Sequence, residues 1–295
     1  MTAPVHIRLA RPPAVWASYP GVLLRRRPPV TQVAEPPEFV ATLPGQRIDG
    51  QAAARYATMC GFERGAGVPI TYPHVLAMPL HLRIFAHPAF PLRPMGLIHL
   101  SNVIEAPGSL EAGATVDIAV AARNYRRTDA GLCFDMATEL RAGDGPLWRE
   151  TCVFLSRWPE PAERTGGRPP RPPRAPRDSE LLGELVVSLE TAWAYARVSA
   201  DYNPIHLSDR AARYFGLRGS IAHGMWSLAR SLAQRPLADV PAGARIDTQF
   251  LSPVQLPARV AVKTWTDGTQ KKRALCDVRT GRVHMIAEWP AITQA

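Results

Sequence analysis

The stretch PEPAERTGGRPPRPPRAPR, residues 159–177, places seven prolines and five arginines in nineteen positions. Proline lacks a backbone N–H and fixes φ, so neither a helix nor a sheet interior can run through such a segment. Proline-rich chain instead favours extended, semi-rigid geometry. Whatever this chain folds into must be assembled from what lies on either side. The expected organisation is a first unit over 1–158, an exposed linker over 159–177 and a second unit over 178–295. Units of roughly 100–150 residues are an ordinary size for domains with cores of their own.

Both sides carry the same order of elements. After the linker, SLETAWAYARVS (188–199) reads as helix, then comes a polar loop, then a second helix in GSIAHGMWSLARSLAQ (219–234). In that second helix Ile221, Met225, Leu228 and Leu232 recur at helical spacing as an apolar face. ARIDTQFL, ARVAVKTW, KKRALCDV and RVHMIAEW follow as strands, the last three separated by turns at Asp267-Gly268 and Thr280-Gly281. Before the linker, DGQAAARYATMCGF and YPHVLAMPLHLRIFA read as helices, and GLIHLSNVI, TVDIAVAA, CFDMATEL and LWRETCVFL as strands. Helices followed by an antiparallel meander, twice over, predict an α+β fold of two sheets, each wrapped around a helix.

Aligning Tyr56 with Tyr195 sets Cys60 against Ser199, Phe62 against Asp201 and His74 against His223. The first half reaches its histidine in 12 residues and the second in 22. The first half lacks about ten residues of connecting chain, and with them the loop Asp201-Tyr-Asn203-Pro204-Ile-His206. A turn uses Asn and Pro for its backbone geometry, but it needs neither the carboxylate nor the imidazole. Together those two groups can hold and activate one water. Read from these residues alone, an ordinary Asx-Pro turn with an incidental histidine remains open. Asp209 reads as a helix N-cap and Gly216 as a C-cap, and Cys60 and His74 as packing residues.

The run from Tyr195 through Ser199, Ala200, Asp201, Asn203, Pro204 and His206, followed by Ala212, resembles the hydratase 2 motif of MaoC-like dehydratases, the (R)-specific enoyl-CoA hydratases. Ile221-Ala-His223-Gly224-Met225 is similar to their second signature, and QFLSPVQLP (249–257) to the strand that follows. The pieces stand in family order over about 70 residues, with Ala200 where the family usually has glycine. The resemblance implies a double hotdog, with a degenerate N-terminal repeat and a catalytic C-terminal one. It implies reversible syn hydration of a trans-2-enoyl thioester to the (3R)-3-hydroxyacyl thioester. Asp201 would be the base, His206 would hold the water, and the Gly224 N–H would meet the thioester oxygen. Asn203 and His223 would support the site. No metal and no cofactor are implied. A hotdog thioesterase and a non-catalytic acyl-binding subunit are the competing classes. The helix over 72–86 offers Val75, Leu76, Met78, Leu80 and Leu82 to an acyl chain longer than four carbons.

Charge and composition fit such a protein without selecting it. The formal net charge of +10 suits an anionic partner, but the arginines are dispersed rather than striped along one element, so nucleic acid is not expected. Coenzyme A or an acyl carrier protein would supply the anionic thioester. No apolar run approaches the ~20 residues of a membrane span, and MTAPVHIRLARPPAVWASYPG lacks the apolar core of a secretory signal. Cys60, Cys133, Cys152 and Cys276 show no paired spacing and read as reduced thiols of a cytoplasmic protein of fatty acid metabolism. A homodimer or a monomeric pseudo-dimer is the expected assembly.

Overall fold

The computed structural model describes residues 3–65, 67–143, 145–159, 173–234, 243 and 245–291. The first half contributes β1 (Val5–Arg8), α1 (Val15–Leu23), β2 (Phe39–Arg47), α2 (Gly50–Cys60), α3 (Tyr72–Ala86), β3 (Ile98–Glu105), β4 (Thr115–Thr128), β5 (Gly131–Ala142) and β6 (Gly145–Arg157). The second contributes β7 (Glu180–Val187), α4 (Leu189–Ser199), α5 (Pro204–Leu207), α6 (Asp209–Tyr214), α7 (Gly224–Leu232), β8 (Arg245–Phe250), β9 (Ala258–Asp267), β10 (Gln270–Asp277) and β11 (Val283–Pro290). Most of the expected linker falls outside the described residues. Its described ends, 159 and 173–177, are neither helix nor strand.

Apart from β1, the two halves repeat strand for strand. Among the described residues one 11-stranded sheet runs β1-β2-β4-β5-β6-β3-β8-β11-β10-β9-β7. From the centre outward, β3-β6-β5-β4-β2 on one side answers β8-β11-β10-β9-β7 on the other. The sheets of the two halves meet edge to edge, where β3 pairs antiparallel with β8 and Asn102 stands opposite Thr248. This join covers an edge that each half alone would leave unpaired. Period-2 burial drives each sheet onto its helix: along β4, Val116, Ile118, Val120 and Ala122 turn inward.

Local sequence sets the helix ends. Asp49 caps α2 by accepting from Gln51 and Ala52 N–H at 2.8 and 3.1 Å, and Gly61 ends it at φ 80°. Ser188 and Thr191 form a reciprocal capping box on α4. Each half wraps its sheet around one buried helix, α3 and α7, whose Leu80, Ile84, Leu228 and Ala229 have no exposed area. Tyr56 and Tyr195, aligned by the repeat, lie 6.1 Å apart ring to ring in the middle of the molecule.

Several boundaries moved from expectation. The second-half helix begins at Gly224 rather than 219, because Ile221 pairs in extended form with Gln255. Asp209 is not the N-cap of α6. Ser208 fills that role, and Asp209 instead accepts from the N–H and hydroxyl of Ser220 at 2.8 and 2.7 Å. Gly216, at φ 80°, follows the end of α6 as expected. All four cysteines are free and buried, and among the described residues no helix is long and apolar enough to cross a membrane.

Candidate active site

A cavity of about 510 Å³ lies between the two halves. The second half lines it with Asp201, Asn203, His206, His223 and Gly224, and the first half with Tyr19, Val22, His74, Met78 and Leu82. Every site residue expected from the sequence therefore faces one space.

The loop is built to present its acid and imidazole. Chain leaving α4 turns at Ala200, φ 60°, and reaches α5, where Asn203 is the cap and accepts from Ile205 N–H at 3.3 Å. The Asn203 N–H in turn donates to Asp201 Oδ1 at 3.1 Å. His206 rides on α5, and its Nδ1 lies 2.9 Å from the carbonyl of Ile221. A carbonyl only accepts, so Nδ1 carries the hydrogen and the neutral ring keeps a lone pair on Nε2. His223 stacks on His206 with ring centroids 3.8 Å apart, and its Nε2 donates to the carbonyl of Asp201 at 3.1 Å. Its Nδ1 is buried without a partner.

Electrostatics separate the two groups. Burial alone would raise the Asp201 carboxyl, but the imidazoles of His223 and His206, the Asn203 N–H and His74 outweigh it and hold it below its usual range. Burial lowers His206, against the opposing pull of Asp201 and the Ile221 carbonyl. Burial and the neighbouring His206 push His223 down to about 3. Near neutral pH the loop thus offers a carboxylate and a neutral imidazole, two acceptors for the two hydrogens of one water. One ligand atom from each of Asp201, His206 and His223 lies within 4.8 Å of the others, a separation that one hydrogen-bonded water bridges.

Gly224 opens α7 and lines the cavity beside this pair. A Cβ there would stand 3.2 Å from the Phe250 ring, a contact that fits only if the ring gives way, and glycine avoids it. First-turn N–H groups have no partner within their helix and face negative charge favourably.

The first half is not inert. His74, expected only to pack, donates from Nδ1 to Glu150 at 2.8 Å, and Glu150 also accepts from Asn102 at 2.6 Å. Burial would lower His74, but Glu150 raises it overall. Burial would raise Glu150, but His74 holds it down. Both shifts favour the charged pair, and its His74 lines the cavity. Glu150 had a signal in the sequence: it shares the inward face of β6 with Trp148 and Cys152, and a buried acid needs a partner. Met78 and Leu82 line the cavity as expected, whereas Leu80 is core and Val75 and Leu76 are not among the lining residues.

Among the described residues two groups have the spacing to hold a cation: Asp201, His206 and His223, and His74, Glu150 and Cys152. In each group some donor atoms are already committed within the protein, but His206 Nε2 and His223 Nδ1 keep their lone pairs. His206 and His223 each hold a backbone carbonyl, His74 and Glu150 hold each other, and Asn102 donates to Cys152 Sγ at 3.3 Å.

Two repeated hotdogs enclosing an acid–imidazole loop define a class, and the comparisons place the chain within it. Residues 168–287 match the family described as MaoC like domain. The 3-hydroxyacyl-thioester dehydratase X of Mycobacterium tuberculosis is 32% identical over 231 residues, 78% of this chain and 81% of that protein. The crystal structure of that dehydratase, HtdX, superposes with a TM-score of 0.74 at 29% identity, covering 86% of this chain and 100% of the other. A MaoC-like dehydratase from Phytophthora capsici shares the fold at TM-score 0.67 and 18% identity, over 90% of this chain and 98% of that one. The chain belongs to the MaoC-like dehydratase family, with a double-hotdog fold.

Proposed function

We propose that the protein catalyses reversible addition of water to trans-2-enoyl thioesters, giving (3R)-3-hydroxyacyl thioesters, with coenzyme A or an acyl carrier protein as the thiol. The observation that carries this reading is the pairing of an ionised Asp201 with a neutral His206 on one cavity wall. A water donates one hydrogen to each. As its oxygen bonds to C3, one proton passes to Asp201 and charge moves to the thioester oxygen, toward the N–H groups at the start of α7. Asp201 then returns the proton to C2 on the same face, so one H and one OH have been added. His206 keeps the water oriented throughout. The relative from Mycobacterium tuberculosis, named a 3-hydroxyacyl-thioester dehydratase, supports the substrate class.

On this proposal residues 178–295 carry the chemistry and residues 1–158 shape the acyl site. Because both halves of the cavity come from one chain, no second copy is needed to complete it. The apolar end, lined by Val22, Met78, Leu82 and Phe85, suits chains longer than four carbons, since each buried methylene gains about 0.8 kcal/mol. Met78→Trp should therefore cut kcat/KM selectively on longer substrates while sparing C4. Profiles from C4 to C16 decide it: a wild type that peaks at C4, or a variant with a uniform loss, contradicts the assignment.

A further inference from the structure

We propose that Tyr19, on α1, is a positioning residue that clamps the backbone on both sides of Asp201. Its hydroxyl donates to the carbonyl of Ala200 at 3.1 Å and accepts from the N–H of Tyr202 at 2.7 Å, across 181 and 183 positions of sequence. The two peptide groups flanking Asp201 carry four polar groups, and each has a partner. Asp201 N–H donates to Ser199 Oγ at 3.2 Å, and the Asp201 carbonyl accepts from His223. The other two belong to Tyr19.

Ala200 explains why the loop needs an outside hold. At φ 60° it occupies the left-handed region that a residue with a Cβ disfavours, so its own local preference works against the turn that aims Asp201. The clamp opposes that preference from a firm base. Tyr19 is only 7% exposed and packs with Val22 against Met78 and Leu82 of α3. A Cβ on Gly21 would come 2.9 Å from that of Ala86, so α1 crosses α3 closely. Trp16 adds a ring contact to Tyr202 at 4.3 Å. Burial, reinforced by the Asp201 charge, keeps the Tyr19 hydroxyl protonated and able to donate. Tyr19, Trp16 and the α3 residues behind them all lie outside the 168–287 span that matches the family. A segment of the first half therefore orients the acid of the second.

The catalytic consequence rests on the hydratase reading above, while the clamp itself does not. Tyr19→Phe keeps the ring and removes the hydroxyl. It should lower kcat about tenfold with KM changed less than threefold, and should cost nothing further in an Asp201→Asn background, because it acts through Asp201. Amide exchange at Tyr202 should quicken at least tenfold. Trp16→Ala, at an exposed position, should show a smaller loss of the same pattern and covers the case in which Tyr19→Phe folds poorly. An unchanged kcat, an equal loss in both backgrounds, or an unchanged Tyr202 amide each overturns the proposal. If wild type hydrates no enoyl thioester, the function reading falls, and the Tyr202 exchange rate alone still decides the clamp.

Discussion

Asp201→Asn and His206→Gln each lower kcat by about 10²–10⁴-fold while the fold persists, the usual effect of removing a positioned acid or base. Both side chains act on the same water, so the double variant should be scarcely worse than the worse single one. The pH profile carries the sign of the assignment. With Asp201 held low and His206 lowered from 6.5, the working state is carboxylate with neutral imidazole. kcat/KM should be level around neutrality and fall on the acid side, below pH 6.5, as His206 gains a proton. In His206→Gln that limb disappears. Activity that rises on acidification would mean the imidazolium is the working form and would contradict the account.

Glu150→Ala destabilises the protein by about 1–3 kcal/mol or more, because it leaves buried His74 without its acceptor, and burial, no longer opposed, drives the imidazole to shed its proton. Glu150 is 2% and His74 6% exposed, so solvent screens little of the pair. Asn102, fully buried, also loses the acceptor of its shortest bond. The same pair sets a pH window for stability. Glu150 is held below 4.5, so its contribution is present above that value and is lost as the pH falls through its folded value. His74 is raised above 6.5, so its contribution is present below 6.5 and fades as pH rises through its folded value. Urea midpoints across pH should show both flanks in wild type and neither in Glu150→Ala. A variant as stable as wild type would mean the pair is dispensable.

Much of the active site was legible because it is local. Asp201, Asn203 and His206 fall within six positions, and a turn with more polar chemistry than a turn requires is visible in one dimension. The strands of both meanders were legible for the same reason: alternation and glycine turns are short-range signals. β2 and β7, each lying ahead of its helices, were not singled out, and neither was α1, where Pro12, Pro13 and Pro20 break up the segment and hide a helix that tolerates Pro20 internally. The partners made by tertiary contact were invisible. Nothing in the sequence spacing joins Tyr19 to Ala200, His74 to Glu150, or His206 to the Ile221 carbonyl. The exchange at α6, where Ser208 caps and Asp209 turns to Ser220, shows the same limit at short range. Two adjacent residues could each have capped, and the fold of the next loop chose between them.

The central claim is that one water, held by Asp201 and His206, is added across the double bond of an acyl thioester. Incubating the purified protein with a trans-2-enoyl-CoA, while following both the conjugated enoyl absorbance and free thiol, tests it most directly. The account predicts that the absorbance is lost with no thiol released, and that the product is the (3R)-3-hydroxyacyl thioester. Thiol release would identify a thioesterase, and no change in either signal would leave a binding protein; both results contradict it.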